Sequence, residues 1–192
     1  MNLLKLLTRA LLLLLLMTLL TGIAYPLAVT GLAQILFPRQ ANGSLVYRND
    51  EPVGSVLIGQ NFYDPQYFHG RPSAAGRDGY DAAASSGSNL GPTNKTLLSN
   101  VALAADRVRS ENDLIKDSPV PGDLVTSSAS GLDPHISPEA ALLQVSRVAR
   151  ARQLPKPKVR ELVERHIEGQ QLGVLGEPRV NVLKLNIALD AL

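Results

Sequence analysis

Cysteine and tryptophan are absent from the 192 residues, and aromatic side chains make up only 4% of them. The lack of cysteine excludes a disulfide-stapled scaffold, thiolate zinc sites, iron–sulfur clusters and a lipid-modified N-terminal cysteine. The length allows one domain or at most two. A mean hydropathy of +0.04 fits either an ordinary globular protein or a very apolar segment averaged with a polar one.

Charged side chains are missing from residues 10–38, and no acidic residue occurs before Asp50. Of the 19 basic residues only Lys5 and Arg9 precede this gap, which leaves 17 basic against 17 acidic residues from Arg39 onward. The sequence pI near 9.0 therefore comes from two residues and requires no basic patch. Nucleic acid is accordingly not an expected partner.

The uncharged stretch over residues 10–37 predicts one transmembrane helix, because about 20 apolar residues cross a hydrocarbon core of about 30 Å. A cleavable secretory signal is the alternative, since residues 11–20 form an apolar run and small residues follow at Gly22 and Ala24. The apolar run continues to Phe37, which a removed signal would not need. This continuation favours an uncleaved anchor.

Lys5 and Arg9 also predict the orientation of the chain, because basic residues beside a membrane helix favour the cytoplasmic side. Residues 1–9 are then cytoplasmic, residues 10–37 span the membrane, and residues 38–192 form an extracytoplasmic domain. Arg39 and Arg48 weaken this bias without reversing it.

Four small residues of the predicted helix share one stripe about 80° wide if each residue turns about 100°. They are Thr21, Ala24, Ala28 and Gly31. Such a stripe lets another helix approach closely, although small residues are also common in any membrane helix. Pro26 predicts a local kink.

The rest of the chain predicts a single mixed α/β domain, so the fold class is α+β with one N-terminal transmembrane helix. The expected elements are a β-hairpin over 45–58, a loop over 60–92 that nearby aromatic residues pin to the core, helices over about 94–110, 137–152 and 158–168, a loop over 118–131, and a strand beginning at 180–182. Residues 183–192 fit a strand extension or a helix equally well.

Common catalytic signatures are absent from the sequence: it has no G-x-x-x-x-G-K-[ST] loop, H-E-x-x-H, G-x-S-x-G or S-x-x-K. The three histidines, His69, His135 and His166, are too scattered to suggest a metal site, and none is expected. A remote alternative is an anchored extracytoplasmic hydrolase in which His69 or His135 works with a neighbouring serine and aspartate.

Five segments nevertheless resemble one family closely and in order. They lie at residues 67–73, 86–90, 124–138, 147–152 and 180–190. Together with the N-terminal anchor, they resemble KdpC, the C subunit of the bacterial high-affinity potassium-transporting P-type ATPase complex.

This resemblance implies a single-pass, non-catalytic subunit in the bacterial plasma membrane, in contact with membrane lipid. Its partners would be a potassium-channel-like subunit, a P-type pump subunit that hydrolyses ATP, and a small membrane subunit. The chain lacks the D-K-T-G phosphorylation motif of such pumps, which agrees with an accessory role. The resemblance implies no tightly bound cofactor. It does imply ATP that is shared with the pump subunit.

The resemblance also suggests site residues. Gln144 occupies the position of a family glutamine associated with nucleotide, although on a helix it could equally be a solvated face residue. A serine/glycine stretch likened to a nucleotide-binding signature corresponds to Ser86, Gly87, Ser88, Asn89 and Leu90. Motif positions whose role is unknown are His69, Arg71, Asn181 and Asn186.

Two mechanisms follow, and topology separates them. The family is described as a catalytic chaperone that raises the ATP affinity of the pump subunit. The orientation expected from Lys5 and Arg9 instead puts the domain outside, away from ATP. There it would cover or gate the channel-like subunit, and a formally neutral domain would not repel an entering cation.

Overall fold

The computed structural model describes residues 3–192 and divides the chain into two compact units, the first ending at Leu45 and the second comprising Val46–Leu192. The first unit contains α1 (Leu3–Leu19), a π-helical turn (Leu20–Ala24), α2 (Tyr25–Leu36) and the short α3 (Pro38–Ala41). As the sequence predicted, Leu3–Leu36 forms a helix long and apolar enough to span a membrane.

The π-helical turn lies just before Pro26, where a kink was predicted. Proline has no backbone N–H, and its ring crowds the carbonyl four residues earlier. The Tyr25 backbone N–H instead donates to the carbonyl of Leu20, five residues earlier. The helix already includes Lys5 and Arg9, so these cations lie within α1 rather than ahead of it.

The chain passes from the first unit into the second at the predicted hairpin, formed by β1 (Leu45–Arg48) and β2 (Glu51–Ser55). The two linking residues, Asn49 and Asp50, have φ angles of 53° and 65°, a left-handed conformation that asparagine and aspartate tolerate and that two-residue hairpin turns require. The hairpin predicted over residues 45–58 ends earlier in the structure, at Ser55.

Three helices follow: α4 (Lys95–Glu111), α5 (Pro138–Ala151) and α6 (Lys156–Arg165). Side-chain oxygens of Asn94 and Ser137 cap the first two by accepting from the backbone N–H groups of Thr96 and Ala140. The chain between β2 and α4 contains no helix or strand, as the composition of residues 60–92 predicted. A short 3₁₀ turn lies at Gly122–Leu124.

A three-stranded antiparallel sheet has the order β3 (His135–Ile136), β5 (Arg179–Asn181), β4 (Ile167–Glu168). The helix predicted over 158–168 is therefore wrong at its end, because Ile167 leaves α6 to pair with Val180. The last segment, open between strand and helix, is α7 (Val182–Asp190).

The hydrophobic core lies between α5, α6, α7 and this sheet. Its fully buried side chains include Phe68, Ile136, Val145, Val148, Val159, Val163, Val180, Leu185 and Leu189. Aromatic residues were expected to hold the long loop against the core. Phe68 is buried in the core and Phe62 packs against it, whereas Tyr63 is 62% exposed. By contrast, α4 has no buried residue.

Candidate functional site

Gln144 lies on the buried face of α5 and is only 2% exposed, so the solvated-face interpretation is wrong. Its Oε1 accepts from the His69 backbone N–H (2.7 Å) and from Arg147 Nη2 (2.6 Å). Its Nε2 donates to the carbonyls of His69 (3.1 Å) and Ala140 (3.2 Å). Every hydrogen-bonding position of this amide is thus used within the chain.

The sequence contained a signal for this burial. Gln144 follows Ala141 by three residues and precedes Val148 by four, and both of these residues are fully buried. Residues three and four apart share a helix face. The helical period therefore places the glutamine among core residues, while its polarity had suggested solvent.

Asn186 on α7 forms the same kind of paired hydrogen bonds with the backbone of Phe68, the residue before His69. Its Nδ2 donates to the carbonyl of Phe68, and its Oδ1 accepts from the Phe68 N–H, both at 2.9 Å. Two buried amides from two helices therefore hold Phe68 and His69, satisfying backbone groups that have no strand to pair with.

Two arginines of the 147–152 segment hold the same stretch of chain, residues 65–69, which we call the clamped segment. Arg147 Nη1 donates to the carbonyls of Pro65 (2.5 Å) and Tyr67 (3.0 Å), and Arg152 Nε donates to that of Gln66 (2.8 Å). Burial lowers the pKa of Arg147 to about 10, so the guanidinium stays charged at neutral pH.

A second polar cluster joins the sheet to the loops. Asp133 lies 3.4 Å from Arg71 Nη1 and 3.2 Å from His135 Nδ1. The hydrogen bond from His135 is the main cause of a lowered pKa at Asp133. Asn181 Nδ2 donates to the Val56 carbonyl at 2.8 Å, while its Oδ1 accepts from the Lys184 N–H at 3.1 Å and so caps α7.

A cavity of about 400 Å³, which we call the α4 cavity, lies between α4 and the loop that carries the clamped segment. It brings together three of the predicted site residues, Gln144, His69 and Arg71, whereas Ser86–Leu90, Asn181 and Asn186 are not in its wall. The wall is formed by Asn61, Phe62, Tyr63, His69, Gly70, Arg71, Pro72, Ser73, Tyr80, Leu103, Ala104, Arg107, Val108, Glu111, Asn112, Leu124 and Gln144.

His69 is held at one edge of this cavity. Its Nε2 lies 3.2 Å from the Asp64 carbonyl and its Nδ1 lies 3.4 Å from a carboxylate oxygen of Glu111. Burial first, and the charge of Arg147 second, lower the pKa of His69 below its ordinary value. The imidazole is therefore neutral at physiological pH.

The serine/glycine stretch packs against another loop. Ser86 N–H donates to the Ser130 carbonyl at 3.0 Å. A Cβ on Gly87 would lie 2.9 Å from the Ala129 carbonyl oxygen, and one on Gly131, where φ is +68°, would lie 2.5 Å from the Ser86 carbonyl oxygen. These two glycines are required by the close approach of the loops.

The geometry does not assemble the hydrolase alternative. The ring nitrogens of His69 and His135 have Asp64, Glu111, Asp133 and Asn181 as their neighbours, and within residues 3–192 neither is hydrogen-bonded to a serine hydroxyl. A serine nucleophile needs a base within hydrogen-bond reach. The same range contains no cluster of acidic or histidine side chains that could hold a metal ion.

Comparison with known proteins decides the family. A family model described as "K+-transporting ATPase, c chain" matches residues 7–191. The chain belongs to the KdpC family. Relatives named potassium-transporting ATPase KdpC subunit include one from Methylococcus capsulatus, 60% identical over 95% of this chain and 96% of the relative. Others come from Polaromonas naphthalenivorans, 62% identical over 95% and 93%, and Nitratidesulfovibrio vulgaris, 61% identical over 93% and 90%.

KdpC membership makes the chain an accessory subunit of a potassium-transporting ATPase complex. Some of the segments that first suggested KdpC now have a structural role. Residues 67–73, 147–152 and 180–190 contain most of the clamped segment and most of the side chains that hold it, which together we call the clamp. In this KdpC chain, these motifs hold a long loop on the helical core.

Proposed function

We propose that the chain is a non-catalytic subunit whose C-terminal unit lies outside the cytoplasm and there supports the channel-like subunit of the complex. The observation that carries this proposal is the charge pattern of the Leu3–Leu36 helix. Its only charged residues are Lys5 and Arg9, both near its N-terminal end. The positive-inside tendency then directs the remainder of the chain outward.

The charge of that remainder suits a place beside an ion path. From Arg39 onward basic and acidic residues balance at 17 each. A strongly positive cover would raise the energy of an approaching potassium ion, whereas a neutral one raises no such barrier. The unit can therefore stabilise the assembly or gate ion entry without repelling the transported cation.

The family-implied alternative is a chaperone role in ATP binding by the pump subunit, with Gln144 and Ser86–Leu90 near the nucleotide. For Gln144 to contact a nucleotide, its amide would have to release the His69 backbone, and the Ser86 stretch would have to leave the loop around Ser130. An extracytoplasmic domain would also be separated from ATP by the membrane. The nucleotide role stays a prediction that topology tests.

Single-cysteine variants provide the test, because the chain has no cysteine of its own. Leu172 is 90% exposed in the C-terminal unit and Leu3 is 68% exposed at the start of the helix. We expect a membrane-impermeant maleimide to label Leu172→Cys in intact cells and to label Leu3→Cys only after permeabilisation.

The reversed pattern would overturn the proposal. Labelling of Leu3→Cys alone in intact cells would put the C-terminal unit on the ATP side, and the nucleotide role would become the better account. Both variants must first co-purify with the complex, so that labelling reports the assembled protein.

A further inference from the structure

The C-terminal end of α4 is held to the rest of the unit by polar contacts. No residue of α4 is buried, although Val108 is partly buried against the core. Three side chains at or just beyond this helix end reach the clamped segment and α5. Their contacts join Glu111 to His69 at 3.4 Å, Asn112 to Arg147 at 3.3 Å, and Asp113 to Arg150. A change of charge at one of these contacts therefore alters how firmly the helix end is held.

His69 is the member of these contacts whose ordinary pKa lies closest to physiological pH. Its side chain is only 17% exposed, and its two ring nitrogens face the Asp64 carbonyl and the Glu111 carboxylate. Both of these partners can only accept a hydrogen bond, and a neutral imidazole has a single N–H. A second proton would let the ring donate to both, but only as a mostly buried cation.

The charges that face the imidazole oppose such a cation. Arg107 lies on α4 and Arg147 on α5, and both disfavour the protonated ring. Glu111 favours it, but this carboxylate already accepts from Arg107 Nε at 2.7 Å. Protonated His69 would thus be the third cation beside one carboxylate.

The other ionisable groups around the imidazole are either paired or uncharged. The phenols of Tyr63 and Tyr80 are uncharged at neutral and acidic pH, and burial raises the pKa of Tyr80 to about 12. The charged groups form hydrogen bonds elsewhere, Arg150 with Asp113, the Asp64 carboxylate with Gln66, and Arg71 with Asp133. These groups leave the balance of charge at His69 positive.

We propose that His69 is an acid-sensitive latch for α4, in which protonation of the imidazole releases the C-terminal end of the helix from the clamped segment. In the closed form, burial and the charge of Arg147 lower the pKa of His69 below its ordinary value. Release exposes the ring, so its pKa returns toward about 6.5 and the open form binds the proton more readily. The closed form therefore loses stability as the pH falls through about 6.5, and the loss levels off below the lowered pKa.

Hydrogen exchange of the full-length chain in nanodiscs tests the latch. Mass spectrometry would compare amide protection at about pH 7.5 and about pH 5.5, corrected for intrinsic exchange rates. We expect protection over residues 104–113 to fall by up to about tenfold at the lower pH, since the closed form loses at most about a factor of ten for each pH unit below 6.5. The amides of α6 are the internal reference and should keep their protection.

Two histidine variants show whether His69 causes the change. His69→Gln removes the titration and keeps a neutral polar side chain, so the acid-induced fall over residues 104–113 should disappear. His166→Gln is the matched control, because the His166 ring contacts only its own helix, with Nδ1 2.8 Å from the Leu162 carbonyl. This variant should retain the fall.

Two arginine variants test the charge argument without changing the clamped segment. Arg107→Gln removes a cation whose side chain is 60% exposed and leaves Glu111 free to pair with the protonated ring, so the fall should become smaller. Arg160→Gln removes an exposed arginine from the corresponding i,i+4 pair with Glu164 on α6. It should leave the fall unchanged.

Three outcomes are incompatible with the latch. The first is unchanged or increased protection over residues 104–113 at the lower pH, and the second is an equal loss of protection in α6. The third is the same fall in His69→Gln as in the unmodified chain. Should His69→Gln fail to fold, equal falls in Arg107→Gln and Arg160→Gln contradict the proposal instead. None of these outcomes depends on which side of the membrane the unit occupies.

Discussion

At the scale of single residues, polar side chains form hydrogen bonds with backbone groups that a neighbouring strand would pair with in a β-sheet. The clamped segment has no strand partner, yet its backbone groups pair with Gln144, Asn186 and Arg147. Buried backbone groups need such partners because leaving one unpaired costs about 1–3 kcal/mol. The attachment of the clamped segment to the hydrophobic core therefore depends on a few amides and guanidiniums.

Replacing Gln144 by alanine tests this dependence. The change leaves the His69 N–H and carbonyl and one Arg147 nitrogen without their partners, so we expect a loss of about 2–4 kcal/mol in the free energy of unfolding. Denaturant unfolding of the full chain, followed by near-ultraviolet circular dichroism, measures it. The control is Gln170→Ala, whose Nε2 donates to Gly176 at an exposed site, and a loss below about 0.5 kcal/mol is expected there. Similar losses of unfolding free energy in the two variants would contradict the conclusion that Gln144 holds the clamped segment in place.

Asp190 provides a pH-dependent prediction at the same scale. Burial by itself would raise its pKa, but hydrogen bonds from Arg152 (2.6 Å) and Arg48 (2.9 Å) outweigh burial and lower it. A carboxyl whose folded pKa is lowered adds stability that is present above its unfolded pKa of about 3.9 and is lost as pH falls through the folded pKa.

We therefore expect Asp190→Asn to be less stable than the unmodified chain at neutral pH, and the difference to shrink as the pH falls below about 4. Urea midpoints of both proteins across this range measure the effect. The exposed Asp78→Asn is the control and should keep the midpoint of the unmodified chain at neutral pH. A difference between Asp190→Asn and the unmodified chain that is constant with pH would show that the ion pairs do not contribute.

At the scale of elements, the junction of β5 and α7 determines how the chain ends. Asn181 is the last residue of the strand and the cap of the helix, and it is 2% exposed. Its side chain also reaches back to Val56, just beyond the hairpin. One amide thus ends a strand, begins a helix and ties both to the N-terminal part of the domain.

Variants of Asn181 should separate these contacts. Asn181→Ala removes the cap and the bond to Val56, and we expect a loss of about 2–3 kcal/mol. Asn181→Asp keeps the acceptor for Lys184 but loses the donor, so its loss should be intermediate. Asn94→Ala, which uncaps α4, is the matched comparison and should cost about 1 kcal/mol or less, since that helix contributes no buried residue. A larger loss in Asn94→Ala than in Asn181→Ala would contradict this account.

In the helix of the N-terminal unit, the π-helical turn alters the stripe of small residues that the sequence predicted. The predicted stripe of Thr21, Ala24, Ala28 and Gly31 assumes a regular turn throughout. The π-helical turn over Leu20–Ala24 contains the first two of these residues and changes their angular position. Ala28 and Gly31 lie in regular helix, so they keep their mutual spacing.

At the scale of the whole molecule, the packing of a partner helix on this pair of small residues stays a prediction. We expect Gly31→Leu to reduce co-purification of the chain with the other subunits of the complex several-fold. Gly22→Leu is the matched control, because an added Cβ meets no atom within 4 Å at either glycine and Gly22 lies in the π-helical turn, outside the regular helix that contains Ala28 and Gly31. Equal recovery of the complex with both variants would remove the stripe from the account of assembly.

The sequence predicted much of this molecule from local rules. The long apolar helix of the N-terminal unit was expected from composition, because an uncharged run of this length fits a membrane span. The sequence predicted that α4 begins after Thr93 or Asn94 and that α5 begins at Ser137-Pro138, because capping acts within one turn, and the structure has Asn94 and Ser137 as the caps. The motif segments identified the family, and this also required only the order of residues.

Only the tertiary structure decided which polar residues are internal. Polarity suggested solvent for Gln144, yet its partner His69 is 75 residues away in the chain, and Asn186 contacts Phe68 across 118 residues. Likewise, Ile167 leaves α6 only because Val180 is there to pair with it. Local sequence carries capping and periodicity, but a contact between distant segments exists only once the chain has folded, and such contacts form the clamp and the α4 cavity.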